Sequence, residues 1–352
     1  GMAMIIQLFQ KQDRGASLGI FMSIIGIGSI TSPIIGGYII DNFGWRGIFN
    51  FVSIITILGL LFSIFIKLNN PKSTKTLNYE FDWQGTLLST ISLSSLIISI
   101  SMYTTSNWNF TWLITGIPIT VIFLFLFILW EKHNKLSNPL IDLKLFDHKS
   151  FSLGSVVRFL SFIANSPIYY LSPFLLIKGY GLSSSKTGIY ILPGPLMMAI
   201  SGPFAGKLSD KMGSYFPRIT GAMCLSISVS LYLFATILNK EFVMVAYAFQ
   251  GLGMGIFGAA NTSYIFTSVK ENNYGSVNAF LTLTRTSGNI IGISISTALV
   301  LAFLSLSNNE LGSVKPDTLN YISSISKAFI LPTLLSIITF ILTISLKDEK
   351  II

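Results

Sequence analysis

The segment 83–130, WQGTLLSTISLSSLIISISMYTTSNWNFTWLITGIPITVIFLFLFILW, runs for 48 residues without one Asp, Glu, Lys or Arg. A hydrocarbon core about 30 Å thick is crossed by roughly 20 apolar residues at about 1.5 Å each. The segment is therefore long enough for two crossings, with a polar break at Thr104–Thr111 between them. Eight more charge-free runs lie at 15–40, 47–66, 159–177, 187–206, 219–239, 242–269, 286–309 and 328–346. The 352 residues are 51% hydrophobic and 11% charged, with a mean hydropathy of +0.68. A soluble domain carries roughly 25% charged residues. A soluble enzyme, a disordered chain and a disulfide scaffold are excluded, the last because Cys224 is the single cysteine. A β-barrel is excluded too, since its strands would be about 10 residues with alternating polarity. The fold class is all-α and polytopic, with ten membrane spans near 16–40, 46–66, 83–103, 110–130, 151–177, 187–206, 219–238, 242–268, 277–303 and 328–346.

The net charge of +9 follows from topology. If the N-terminus is cytoplasmic, fifteen Lys and Arg fall in inside loops and six in outside loops. Basic residues are retained on the cytoplasmic side of membrane proteins, so both termini are expected in the cytoplasm of a cell-membrane protein. Nucleic acid is not an expected partner. Residues 1–10 are too short to span and carry no signal-peptide pattern; they read as the end of a helix.

Arg14–Gly37 (RGASLGIFMSIIGIGSITSPIIGG) and Tyr274–Ser296 (YGSVNAFLTLTRTSGNIIGISIS) resemble each other, with Gly15 matching Gly275 and Gly28 matching Gly288. Repeated halves are common in transporters, where substrate sits at the interface between them. A full apolar span precedes the second copy, so the repeat implies about three and a half spans before residue 1. The expected organisation is a remnant of an N-terminal half at 1–66, an extra helix pair and cytoplasmic linker at 67–150, and a six-helix C-terminal half at 151–352.

Two stretches carry mechanism. Gly19, Gly28, Ser32, Pro33, Gly36 and Gly37 put small residues on one helix, which lets a neighbour approach closely in lipid. Pro33 removes a backbone donor and can kink that helix. A static small-residue interface accounts for the same pattern. The second stretch, Gly206-Lys207-Leu208-Ser209-Asp210-Lys211-Met212-Gly213, leads to Arg218. Its glycines permit a tight turn, and Asp210 among Lys207, Lys211 and Arg218 could latch the two halves. A solvated basic loop would look alike.

The first stretch is similar to the antiporter motif of drug:proton antiporters in the major facilitator superfamily. The second resembles that superfamily's loop motif G-x-L-a-D-[RK]-x-G. Tyr170–Pro195 (YLSPFLLIKGYGLSSSKTGIYILPGP) and Asn138–Phe151 (NPLIDLKLFDHKSF) resemble its fourteen-span drug-efflux branch. Two departures stand out: Ser32 replaces a usual Gly, and Ser214, Tyr215 and Phe216 replace basic residues. The resemblance implies that 16–66 are spans five and six, that 83–130 are the extra pair, and that 151–346 are the C-terminal six. It also implies export of amphipathic drugs or toxic compounds by proton antiport, with a small-molecule substrate, protons and membrane lipid as partners.

Ionisable groups at bilayer depth are functional candidates, and the spans offer Arg158 and Arg285. Arg158 is placed to snorkel towards the cytoplasm or to face a cavity. Arg285, near Thr282, Thr284, Thr286 and Asn289, is expected inside the bundle, bonded to hydroxyls or carbonyls. Asp41 beside Arg46 reads as an interfacial pair. Phe162, Asn165, Tyr169, Tyr170 and Gln250, with Arg285 and Asn289, are the candidate substrate-binding residues, because aromatics with a few amides suit amphipathic compounds. No grouping suggests an enzyme, a cofactor or a metal; His133 and His148 are isolated. The alternatives left open are transport of an anionic or other small solute, and a non-transporting truncated remnant or membrane sensor.

Overall fold

The computed structural model describes residues 14–64, 82–105, 110–133, 143–266, 269, 274–311 and 318–346, with all their side chains except 14–27, 29, 104, 105, 206, 207, 209–212, 274–276 and 307–311. These residues form helices α1 (Arg14–Ile64), α2 (Trp83–Thr105), α3 (Thr111–His133), α4 (Lys149–Phe174, extended by a π turn to Gly179), α5 (Ser184–Ile191), α6 (Pro193–Met212), α7 (Tyr215–Leu231), α8 (Phe242–Phe266), α9 (Tyr274–Leu311), α10 (Thr318–Ala328) and α11 (Ile330–Ser345). No strand occurs among the described residues. Helices satisfy every internal backbone donor within one segment, which a bilayer demands.

Nine described segments are long and apolar enough to cross a membrane, against ten expected. The difference lies in α1, which joins the first two expected spans. Gly44 interrupts it with φ 71° and ψ 176°, a left-handed φ that Gly adopts without a Cβ penalty. A Cβ on Gly47 would lie 2.9 Å from Cγ2 of Ile39, yet eight residues of straight helix span about 12 Å. The chain bends sharply at Gly44, so two limbs remain.

Two apolar clusters fix the alternation of the helices. One gathers Leu145, Phe151, Ile265, Val277 and Leu281, from the short turn before α4, the start of α4, the end of α8 and the start of α9. The other gathers Leu175, Tyr232, Phe242, Ile325 and Phe329, from the opposite ends of the same bundle. Between them, glycines set the helix spacing. A Cβ on Gly251 of α8 would collide with the Gly194 carbonyl oxygen of α6, and one on Gly221 of α7 would lie 2.5 Å from the Phe257 amide nitrogen of α8. The resulting six-span unit, 149–346, contains most of the buried side chains.

The extra pair α2–α3 is a hairpin built on hydroxyls. Ser92, Ser95 and Ser99 recur on one face of α2. The Ser92 hydroxyl donates to the Thr120 carbonyl at 3.1 Å, and Ser95 and Thr120 share a hydroxyl hydrogen bond at 2.8 Å. Gly116 lies directly under Ser99. Asp82 caps α2 through the Gly85 amide (2.8 Å) and accepts from the Trp130 indole of α3 (2.9 Å). By contrast, none of residues 45–64 is buried.

Candidate functional site

Four helices of the C-terminal unit line a half-open cavity of about 610 Å³. Arg158, Phe162 and Tyr169 project from α4 at intervals of four and seven residues, one face of a 3.6-residue period. Met254, Gly258 and Thr262 repeat every four residues on α8, Arg285 and Asn289 are four apart on α9, and Met198 and Gly202 are four apart on α6. Phe162, Tyr169, Arg285 and Asn289, four of the sequence candidates, all line this one cavity. The α6 and α8 walls were not among those candidates, because Met, Gly and Thr on a helix face also read as ordinary packing.

Arg158 faces the cavity. Its Nη1 donates to the Thr262 hydroxyl at 3.2 Å, and its guanidinium lies 5.2 Å from the Phe162 ring centroid. Its Nε is buried without a hydrogen-bond partner. Arg285 departs from the expected buried tie: it is exposed on the cavity wall. The hydroxyls expected to hold it serve their own helix. Thr282 donates to Asn278 (2.9 Å), Thr284 to Leu281 (2.9 Å) and Thr286 to Thr282 (3.0 Å). Hydroxyls in apolar helices commonly satisfy themselves this way, a competition the sequence pattern does not display.

The other candidates separate. Asn165 is almost fully buried, its amide donating to the Ser161 carbonyl at 3.0 Å and its Oδ1 unpartnered. Gln250 is equally buried, within hydrogen-bonding reach of Tyr169. Neither lines the cavity. Tyr170, one residue and 100° round the helix from Tyr169, faces a separate cavity of about 380 Å³ with Phe174, Lys178 and Tyr321.

The small-residue motif of α1 packs on α5. A Cβ on Gly37 would stand 2.5 Å from the Ser184 carbonyl oxygen, and one on Gly188 would collide with the Pro33 carbonyl. Gly28 and Gly36 have nothing within 4 Å of such a Cβ, and Ser32 is exposed. The side chain position of Gly19 lies outside the described residues. Asp41 continues this contact in place of the expected pair with Arg46. Its carboxylate accepts from the Ser184 amide (3.0 Å), the Ser185 amide (2.8 Å) and the Ser185 hydroxyl (2.5 Å). An anion at a helix N-terminus meets unpaired N–H groups and the positive end of the dipole. Arg46 instead lies 4.3 Å from the Trp45 ring centroid. Asp41 and Ser184 are 143 residues apart, so no local pattern discloses the pair.

The expected loop latch is different in kind. Residues 206–212 are the last turns of α6, and Gly213, at φ 84°, ends the helix. The side chains of Lys207, Asp210 and Lys211 lie outside the described residues. Arg218 is not in a loop: it is fully buried near the start of α7 and donates to the Leu346 carbonyl at 2.7 Å.

The sequence profile of the Major Facilitator Superfamily matches residues 1–88 and 83–293. The riboflavin transporter RibZ of Clostridioides difficile is 28% identical over 347 residues, 98% of this chain and 73% of that protein. The multidrug resistance protein Stp of Mycobacterium tuberculosis is 25% identical over 296 residues, 84% of this chain and 54% of its own length. The chain thus spans about half the length of that curated relative. A bacterial homologue of the human lysosomal transporter Spinster, solved inward-facing and occupied, superposes with a TM-score of 0.59 at 16% identity, over 97% of this chain and 71% of its own. An auto-inhibited POT-family peptide transporter gives 0.56 at 14% identity, over 99% and 74%.

Proposed function

Because the chain belongs to the major facilitator superfamily, a multi-pass, non-enzymatic transporter family, we propose that it acts as a secondary active exporter of amphipathic compounds, coupled to inward proton movement. The observation that carries this reading is the 610 Å³ cavity, whose aromatic, thioether and hydroxyl lining suits molecules with both apolar and polar parts. The multidrug resistance protein and the riboflavin transporter among its relatives support an organic small-molecule substrate. Residues 1–66 belong to the N-terminal half, 67–150 are an inserted helix pair with its linker, and 151–352 are the C-terminal half. Both termini face the cytoplasm of a cell-membrane protein, as the basic-residue bias favours. Rocking of the halves about the α1–α5 contact exposes the cavity to either side in turn.

The test is efflux of neutral, cationic and anionic fluorescent compounds from cells expressing the full-length protein, with and without a proton uncoupler. Uncoupler-sensitive efflux of at least one is expected. Efflux indifferent to the uncoupler would remove the coupling, and no efflux of any compound would remove the export reading.

Asp41 offers a second check. Asp41→Ala deletes all three acceptor contacts to α5 and is expected to slow transport several-fold. Asp41→Asn keeps one oxygen acceptor without the charge and should fall between. Unchanged transport by Asp41→Ala would show that this end of the α1–α5 contact plays no part in the cycle.

A further inference from the structure

We propose that the cavity selects an organic anion attached to an aromatic ring, with Arg158 and Arg285 binding the anionic group and Phe162 and Tyr169 the ring. This inference rests on the carrier reading above and names its substrate class.

Both arginines line one cavity, from α4 and α9, and no acidic side chain lies among its described lining residues. Burial desolvates Arg158, and the Arg285 charge on the same cavity adds to that cost. An anion in this space offsets the cost borne by the Arg158 charge and meets a second cation at Arg285, whereas a cation would face both. The hydrogen-bonding capacity points the same way. Arg158 spends Nη1 on Thr262, whose own hydroxyl donates to the Gly258 carbonyl at 2.7 Å. Thr262 is thereby locked as an acceptor and holds Arg158 in place, leaving the buried Nε of Arg158 unpartnered. Arg285, exposed on the adjoining α9 wall, has its neighbouring threonines already occupied by α9 carbonyls. The planar guanidinium of Arg285, exposed on the cavity, and that of Arg158 on the same lining match carboxylate, sulfonate or phosphate oxygens. Phe162 lies under Arg158, and the exposed Tyr169 stands two turns further along the same helix. The aromatic body of a ligand would sit there with its anionic end at the arginines.

The test uses two dyes built on the same xanthene frame and of opposite charge, fluorescein and rhodamine 123. Their binding to the 352-residue chain in nanodiscs is followed by fluorescence anisotropy. Fluorescein is expected to bind at least about tenfold more tightly than rhodamine 123. Arg285→Gln and Arg158→Gln should each weaken fluorescein about tenfold, as loss of one charged hydrogen bond does. Rhodamine 123 affinity should hold or rise, and Arg285→Lys should recover part of the fluorescein affinity. Because Arg285 is exposed, its substitution leaves packing intact even if Arg158→Gln does not fold. Equal affinity for the two dyes, or fluorescein binding indifferent to Arg285→Gln, overturns the anion assignment. Uncoupler-sensitive efflux of rhodamine 123 together with either result would leave the carrier reading standing and remove only this inference.

Discussion

Gly37→Leu abolishes transport while membrane insertion persists, and Gly36→Leu leaves transport largely intact. The contrast follows from the contact between α1 and α5. At Gly37 an added Cβ would stand 2.5 Å from the Ser184 carbonyl oxygen and 2.9 Å from the Ser185 Cα. Both are backbone atoms, so no side chain can swing aside and the helices themselves must separate. Gly188 answers from α5, where a Cβ would strike the Pro33 carbonyl. Close approach of this kind is a main source of helix association in lipid, and here it joins the N-terminal limb to the C-terminal unit. Gly36 faces open space. Efflux rates of the two variants, measured beside their amounts in the membrane, decide the matter. Full transport by Gly37→Leu would show that α1 and α5 need not touch, and loss of transport by Gly36→Leu alone would reverse the assignment of faces.

This pair also shows where the sequence was informative. S-P-x2-G-G announces a small-residue face because Gly and Ser are concentrated on one helix. It does not say which of two adjacent glycines bears the contact, since they differ by about 100° and the partner is some 150 residues away. The spans themselves were legible, because the absence of charge over about 20 residues has few other physical causes. Gly44 shows the limit of that reading: the bend falls between two charge-free runs, as expected, but helical hydrogen bonding continues on both sides of it. Within the cavity, α4 and α9 announced themselves through an arginine in an apolar run. The walls from α6 and α8 carry Met, Gly, Ala, Phe and Thr, which have no such signature. Arg158 and Arg285 share a cavity for a tertiary reason, the packing of α4 on α9 through Gly288 and Gly292. The repeat marks Gly288 but not the helix it touches.

Arg218→Met is expected to lower stability by about 2–4 kcal/mol, more than any surface substitution, through the far end of the bundle. Sequence placed Arg218 among the cations of a cytoplasmic loop; burial changes its meaning. Its Nη2 donates to the Leu346 carbonyl at 2.7 Å, its Nε approaches the Ser214 carbonyl at 3.4 Å, and its guanidinium lies 3.6 Å from the Tyr264 ring centroid. Leu346 is the C-cap of α11, where helix carbonyls lack internal partners and the dipole is negative. Tyr215 adds a second bond there, from its hydroxyl to the Ile344 carbonyl at 3.0 Å. One cation thus ties the starts of α7 and the ends of α8 and α11 together. Met fills much of the aliphatic volume but donates nothing, leaving the half-buried Leu346 carbonyl without this donor at about 1–3 kcal/mol. The lost cation–π contact adds about 1–2 kcal/mol in so desolvated a setting. Arg218→Lys should recover part of the loss, since an ammonium can reach the carbonyl but cannot also stack as a plane. Thermal unfolding of the purified chain in one detergent, wild type beside both variants, reads the order directly. A midpoint for Arg218→Met equal to wild type would mean that Tyr215 alone holds the end of α11 and that the buried charge has another purpose.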